Sequence, residues 1–441
     1  KELPHQTCAV PHVTDPCASI CDSGLEGAEP DGRGGSPMKS FPGAIRRLQR
    51  LLESRKALTC NQDILQLRDF LNSKTHTAEE VSEILLCLAK LHVRDRSIWN
   101  AVLPALDQHS ALLSTRCLQK VPLCFARARL RPPILQSLVL PIQQQLLLRC
   151  FTARDLADLA WSTARLEPLR RSGLLHSIAQ EAVPLIPEFK PAELSKIAWA
   201  CATCGVREGL LFTALAKASV DSVDGFTPQG LSNVIWAFAT LVLVDPKLQR
   251  AVAETTTRKM STAVTAAIFN PQNLANTAWA FARLFCRDDA LFGQIAQLAE
   301  EQMDDFSFQN LSNTLWAFAK VKHDDLTFFE MTSEHVLGLL PEFSIQAAVN
   351  SVWAMAEVSY HNHEVFERVA EEAMKASDNY NPQDLSNLIW SFAEILHENE
   401  KLLRSIAKTS RSKVESLRCQ HLACVAWSYA HFVERWTQTG T

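Results

Sequence analysis

Residues 226–241 read FTPQGLSNVIWAFATL, residues 269–284 read FNPQNLANTAWAFARL, and residues 380–395 read YNPQDLSNLIWSFAEI. The three share one plan. An aromatic residue (Phe226, Phe269, Tyr380) precedes a Thr or Asn (Thr227, Asn270, Asn381), and a proline follows (Pro228, Pro271, Pro382). Thr and Asn accept hydrogen bonds from the unpaired N–H groups of a first helical turn. Proline suits the first helical position because it has no N–H to leave unpaired. The aromatic residue is placed to pack on Leu231, Leu274 or Leu385, a hydrophobic staple. Each stretch predicts a helix that starts at a fixed point and carries a tryptophan near its middle.

Outward from these stretches the tryptophan recurs as Trp161, Trp199, Trp236, Trp279, Trp316, Trp353, Trp390 and Trp427, in steps of 38, 37, 43, 37, 37, 37 and 37 residues. Upstream, LCLAKL (Leu86–Leu91) and FARARL (Phe125–Leu130) fit the same frame, with Leu86 and Phe125 in the tryptophan place. A second apolar-periodic segment follows each tryptophan helix, as in Leu291, Phe292, Ile295 and Leu298. The unit is an αα-hairpin that must stack on its neighbours to bury its apolar face. The predicted fold is all-α: an α-solenoid, or superhelix, of about ten αα-hairpin repeats of about 37 residues. It occupies 76–441, after a disordered segment over 1–40 and a helical cap over 41–75. The step of 43 predicts a six-residue insertion within Thr255–Ala267.

Composition narrows the function classes. Of the 441 residues 47% are hydrophobic and only 14 are glycine, which suits packed helices rather than a turn-rich β chain. The net charge of −4 conceals an asymmetry: 41–150 carries 16 Lys/Arg against 8 Asp/Glu, whereas 261–441 carries 13 against 23. The basic half suggests a polyanion partner. The 13 cysteines give no framework, and the Cys201/Cys204 pair has no second pair at zinc-like spacing, so a reducing compartment is expected. No apolar run spans a bilayer. The first forty residues lack transit-peptide character, and Lys1 in place of Met suggests a processed product or fragment. No P-loop, GxSxG, HExxH or dinucleotide glycine motif is present, so neither catalysis nor a cofactor is expected. His361-Asn362-His363 and His323-Asp324-Asp325 fall in inter-helix links and read as solvated rather than as metal ligands.

Counting from tryptophan as zero, positions −7, −3, +1 and +4 share one helix face, at about 20° to 100°. Position −7 is glutamine in six repeats (Gln229, Gln272, Gln309, Gln346, Gln383, Gln420), and −3 is asparagine in five (Asn233, Asn276, Asn313, Asn350, Asn387). Position +1 is small. Position +4 varies, including Lys90, Arg129, Arg165, Thr240, Arg283, Lys320, Glu357 and Glu394. Side-chain amides match nucleobase edges and cations match phosphates. These positions, with Arg154, form the candidate RNA-binding set; Gln420, Glu357 and Glu394 stand outside it. Two readings stand for the asparagines, ligand contact or an inter-repeat ladder. Two stand for the tryptophans, core packing or base stacking.

LSNVIWAFATL, LANTAWAFARL, LSNTLWAFAKV and LSNLIWSFAEI resemble the octotricopeptide and heptatricopeptide repeats of organellar proteins, and the 37-residue step resembles the latter most. The resemblance implies a right-handed solenoid that binds organellar RNA, soluble in a mitochondrion or chloroplast, for transcript maturation, stability, translation or ribosome assembly. Such proteins often end in a RAP domain, and nothing after Trp427 resembles one. The expected partner is single-stranded RNA, an organellar transcript or rRNA, at about one nucleotide per repeat. The acidic repeats also suit protein subunits, and an armadillo- or HEAT-like scaffold is the alternative.

Overall fold

The computed structural model describes residues 77–91, 96–109, 113–323, 325–339, 344–375 and 380–439. The expected disordered segment over 1–40 and cap over 41–75 lie outside the described residues. Every described element is helical. Helix α1 (Ala78–Lys90) is followed by α2 (Arg96–His109), and α3 (Thr115–Ala128) by a 3-10 segment (Pro133–Leu138) and α4 (Val139–Leu147). Next come α5 (Ala153–Arg165), the single turn α6 (Glu167–Arg170), α7 (Leu174–Ala182), α8 (Pro191–Thr203) and α9 (Gly209–Asp221). Then follow α10 (Pro228–Thr240), α11 (Pro246–Met260), the single turn α12 (Ala263–Ala266), α13 (Pro271–Arg283) and α14 (Asp289–Glu301). The rest are α15 (Phe308–Lys320), α16 (Leu326–Leu339), α17 (Ile345–Glu357), α18 (His363–Lys375), α19 (Pro382–Glu394), α20 (Glu400–Ser412) and α21 (Cys419–Thr439).

The chain forms two compact units, one ending at Ala237 and the other beginning at Phe238. In the first, the leading helices of successive hairpins (A helices) α1, α3, α5 and α8 pack side by side. In the second, α13, α15, α17, α19 and α21 do the same, and the B helices α14, α16, α18 and α20 form a parallel row. This is an all-α, solenoid-like repeat fold.

Three landmarks recur in most repeats, though the Trp161 repeat departs from them after its A helix, where Glu167 opens α6. The N-cap lies nine residues before the tryptophan, where Thr77, Thr152, Asn270, Ser307, Ser344 and Asn381 accept first-turn N–H bonds. A left-handed residue lies six after it: Gly205, Val242, Phe285, Lys322, Ser359 and Leu396. The N–H of the next residue then reaches back to the carbonyl at +2, as in Leu243 to Phe238 at 2.8 Å and His397 to Phe392 at 2.9 Å, the Schellman closure. Helix B begins ten residues after the tryptophan, capped by Asp245, Asp288, Asp325, Asn362 or Asn399.

These landmarks correct the second repeat. Ser114 caps α3, Arg129 is the left-handed residue with φ 56°, and the following segment starts at Pro133. Leu123, not Phe125, therefore holds the tryptophan place, and the steps become 37 (Leu86 to Leu123) and 38 (Leu123 to Trp161). Phe125 takes the +2 place, which holds Phe238, Phe281, Phe318, Met355 and Phe392 in five later repeats and is buried in each of them. The FARARL motif misleads because Ala126 and Ala128 follow Phe125 at the spacing of the alanines that follow tryptophan, whereas Cys124 follows Leu123. The 43-residue step resolves as expected: α11 has 15 residues where α14 has 13, and the extra turn α12 follows.

The +2 aromatics join the two helix rows: Phe292 meets Phe318, and Phe366 meets Phe392, edge to face at 5.1 Å. The +1 alanines (Ala200, Ala237, Ala280, Ala317, Ala354) are fully buried, which lets A helices approach closely. In the first unit the −3 row is a charge ladder. Lys120 Nζ lies 2.8 Å from Glu83, and Lys196 Nζ 2.8 Å from Asp158, which also accepts from Gln119 at 3.2 Å. Asp158 is buried. Lys196→Ala strands that carboxylate and is expected to cost about 1–3 kcal/mol. Urea unfolding measures it, and adding Asp158→Asn recovers part of the loss. An unchanged midpoint for Lys196→Ala would deny the ladder a structural role.

Candidate nucleic-acid interface

The polar face of helix A is buried along its middle and open at its ends. Trp161, Trp199, Trp236, Trp279, Trp316, Trp353 and Trp390 are at most 8% exposed. From Trp316 to Trp390 the rings line up from repeat to repeat, with Trp316 to Trp353 at 6.5 Å and Trp353 to Trp390 at 6.2 Å between centroids. This geometry is core packing. Trp427 is half-buried and stacks on His431 at 5.0 Å, nearly coplanar.

The −3 asparagines lie in the same seam. Asn233, Asn276, Asn313, Asn350 and Asn387 are 1–2% exposed. The −7 glutamines are half-buried, except the exposed Gln420. Two of them reach one turn along their own helix: Gln309 Nε2 donates to Asn313 Oδ1 at 3.1 Å, and Gln383 Nε2 to Asn387 Oδ1 at 2.8 Å. Gln229, Gln272 and Gln346 also have interaction partners. Both bonds lie within one helix, and both amide atoms of Asn276 are buried without a hydrogen-bond partner, so the asparagines are packed in the seam and solvent meets the stripe at the glutamine end. Arg154, the −7 residue of α5, is exposed.

At the other end of helix A, eleven residues on and therefore about 16 Å away, stand the +4 residues. Arg165, Thr240, Arg283 and Lys320 are half-buried. Arg165 lies over the Trp161 ring at 5.1 Å, and Lys320 over Phe285 at 5.7 Å. The register correction moves Arg129 off this row into the turn, and Arg127, exposed, takes the +4 place. Lys90 ends α1, but its side chain lies outside the described residues. Glu357 and Glu394 are exposed.

Sequence reading passed over two features. Gln383 and Gln420 line an open polar cavity of about 370 Å³ with Asn381, Ser416, Arg418 and His421. Its signal in the sequence was the one-repeat offset between the two glutamines, which joins residues 37 apart. The second feature is the meeting of His361 and His363 with His397, again about one repeat on. Burial holds both His361 and His397 below the ordinary imidazole range, against the pull of Glu367 on His397. The CxxC pair behaves as packing: burial pushes the Cys204 thiol up to about 11 and Cys201 higher still, and both are free. Among the described residues no helix is long and apolar enough to cross a membrane.

A family model described as RNA-editing substrate-binding complex 6 protein matches residues 153–437. No curated protein matches the chain. Among solved structures, one titled a homology model of the full-length AP-3 complex in an intermediate open conformation aligns at 10% identity and a TM-score of 0.32. It covers 88% of this chain and 84% of that one, a likeness too loose to bear on fold or function. The family match begins at the first residue of α5, runs into α21 and spans well over half the chain. The chain belongs to the RNA-editing substrate-binding complex 6 protein family.

Proposed function

We propose that this member of the RNA-editing substrate-binding complex 6 protein family is a non-catalytic RNA-binding subunit of a larger assembly. It holds single-stranded RNA along the two open ends of its A helices. The observation that carries the reading is the repetition itself: a part-exposed amide at −7 in repeat after repeat, and a cation at +4 in α5, α13 and α15. The cations are steadied over aromatic rings in α5 and α15. Cations held in this way suit phosphates, and amides suit base edges. Buried in the seam, the asparagines act on RNA only indirectly, as Asn313 and Asn387 do through the glutamines they hold. The family description supports an RNA-linked assembly, and the resemblance to heptatricopeptide repeats supports work on transcripts in an organelle, a mitochondrion or chloroplast.

The acidic +4 residues Glu357 and Glu394 favour a second role for the C-terminal repeats, contact with protein subunits. A salt series separates the two roles. Binding to a single-stranded RNA should weaken with log[salt] at a slope of about −0.7 per phosphate contacted, and should exceed binding to a duplex of the same sequence. Partners captured from native extract through Glu357 and Glu394 should survive ribonuclease. Salt-independent RNA binding, or a preference for duplex, would sink the proposal.

A further inference from the structure

Three imidazoles converge where the A-to-B turns of two consecutive repeats meet. His361 lies in the turn before α18, His363 is its first residue, and His397 lies in the turn after α19. One ring nitrogen of each lies within 4.8 Å of the other two. The closest pair, His361 Nε2 and His397 Nδ1, is 2.9 Å apart. Two nitrogens on one tetrahedral zinc ion lie about 3.3 Å apart, because each Zn–N bond is about 2.0–2.1 Å. That pair already stands near ligand spacing. The third ring needs to close by about 1.5 Å at most, and His363 is exposed on the first turn of α18.

The surroundings order the rings as a metal site requires. His397 is 4% exposed, and its other nitrogen, Nε2, lies 2.8 Å from Glu367 Oε1. Asn399 Nδ2 donates to the second oxygen of that carboxylate at 3.0 Å. Glu367 thereby fixes the Nε2–H tautomer of His397 and turns the Nδ1 lone pair toward His361 and His363. Phe366 and Phe392 pack on the inner side of His397, with centroids at 5.5 and 5.3 Å. The outer side opens to solvent past the exposed His361 and His363. Two repeats earlier the places of His363 and His397 hold Asp289 and His323, 3.4 Å apart, without a third ligand of this kind among the described residues.

We propose that His361, His363 and His397 bind one transition-metal ion of the zinc class, clipping together two consecutive repeats, with Glu367 positioning His397 and water in the fourth place. Three imidazole nitrogens with no oxygen donor among them select zinc-class ions over magnesium or calcium. The competing arrangement is a metal-free relay in which His361 Nε2–H donates to His397 Nδ1.

The test is titration of the metal-free, reduced full chain with Zn(II) by calorimetry, and with Co(II) by visible spectroscopy. One saturable equivalent is expected, with Co(II) d–d bands and no thiolate charge-transfer band. His363→Ala, which removes only an exposed ring, should abolish that equivalent while leaving the circular dichroism unchanged. Glu367→Gln should weaken it ten- to a hundredfold. No saturable binding by the native chain would overturn the proposal and leave the relay. So would undiminished binding by His363→Ala, or a thiolate band that puts the ion on any of the 13 cysteines.

Discussion

Trp279→Ala is expected to cost about 3–5 kcal/mol, the range for emptying a large aromatic site in a core that relaxes only in part. Trp279 is 1% exposed and sits in the seam where α13 meets α15. Repeat arrays gain their stability from nearest-neighbour interfaces, so the loss should appear as early unfolding of the adjoining repeats rather than a uniform shift. Trp279→Phe should lose much less. It keeps an aromatic ring and removes an indole N–H that has no hydrogen-bond partner, as in Trp199, Trp236, Trp316 and Trp353. Trp427→Ala, at a half-buried position, should cost about 1–2 kcal/mol by the smaller apolar area removed. Urea denaturation of the three variants measures the order. Equal, small losses for Trp279→Ala and Trp427→Ala, together with lost RNA binding, would make the tryptophans readers rather than packing.

The repeat was legible because its punctuation is chemical. A capping Thr, Ser or Asn, a proline and a staple recur at fixed distances from tryptophan, and the helix starts follow them. Register failed where the tryptophan itself was absent. In the second repeat Ala126 and Ala128 follow Phe125 as alanines follow a tryptophan, whereas Cys124 follows Leu123, and the turn that fixes the register, closed by a left-handed Arg129, has no glycine to announce it. Leu396, Phe285 and Val242 hide the same turn in later repeats, each accepting about 1–2 kcal/mol of backbone strain. The polar face was found, but not its depth. Helical angle puts Asn313 and Gln309 on one stripe, whereas burial depends on how closely the next A helix approaches, which Ala317 and its counterparts set. The histidine cluster was missed for a related reason. His361 and His397 are neighbours only after one repeat is stacked on the next.

The central claim is that RNA lies along the open ends of the A helices, and reversing the cations there is expected to abolish binding. Arg165→Glu, Arg283→Glu and Lys320→Glu together remove three positive charges and place three negative ones beside the phosphates. All three are half-buried, so circular dichroism and the urea midpoint of the variant are measured beside its binding, and a native fold is expected. Three lost contacts to a single strand should also lower the salt slope by about 2. A control reversing three exposed cations of helix B, Lys247, Arg250 and Arg404, makes the same change in net charge away from the stripe. Fluorescence anisotropy of a labelled single-stranded RNA, titrated with native chain, stripe variant and control across a salt series, measures all of this at once. The account predicts near-native binding by the control, and for the stripe variant binding at least about a hundredfold weaker with a shallower slope. Native affinity in the stripe variant, or an equal loss in the control, would contradict it.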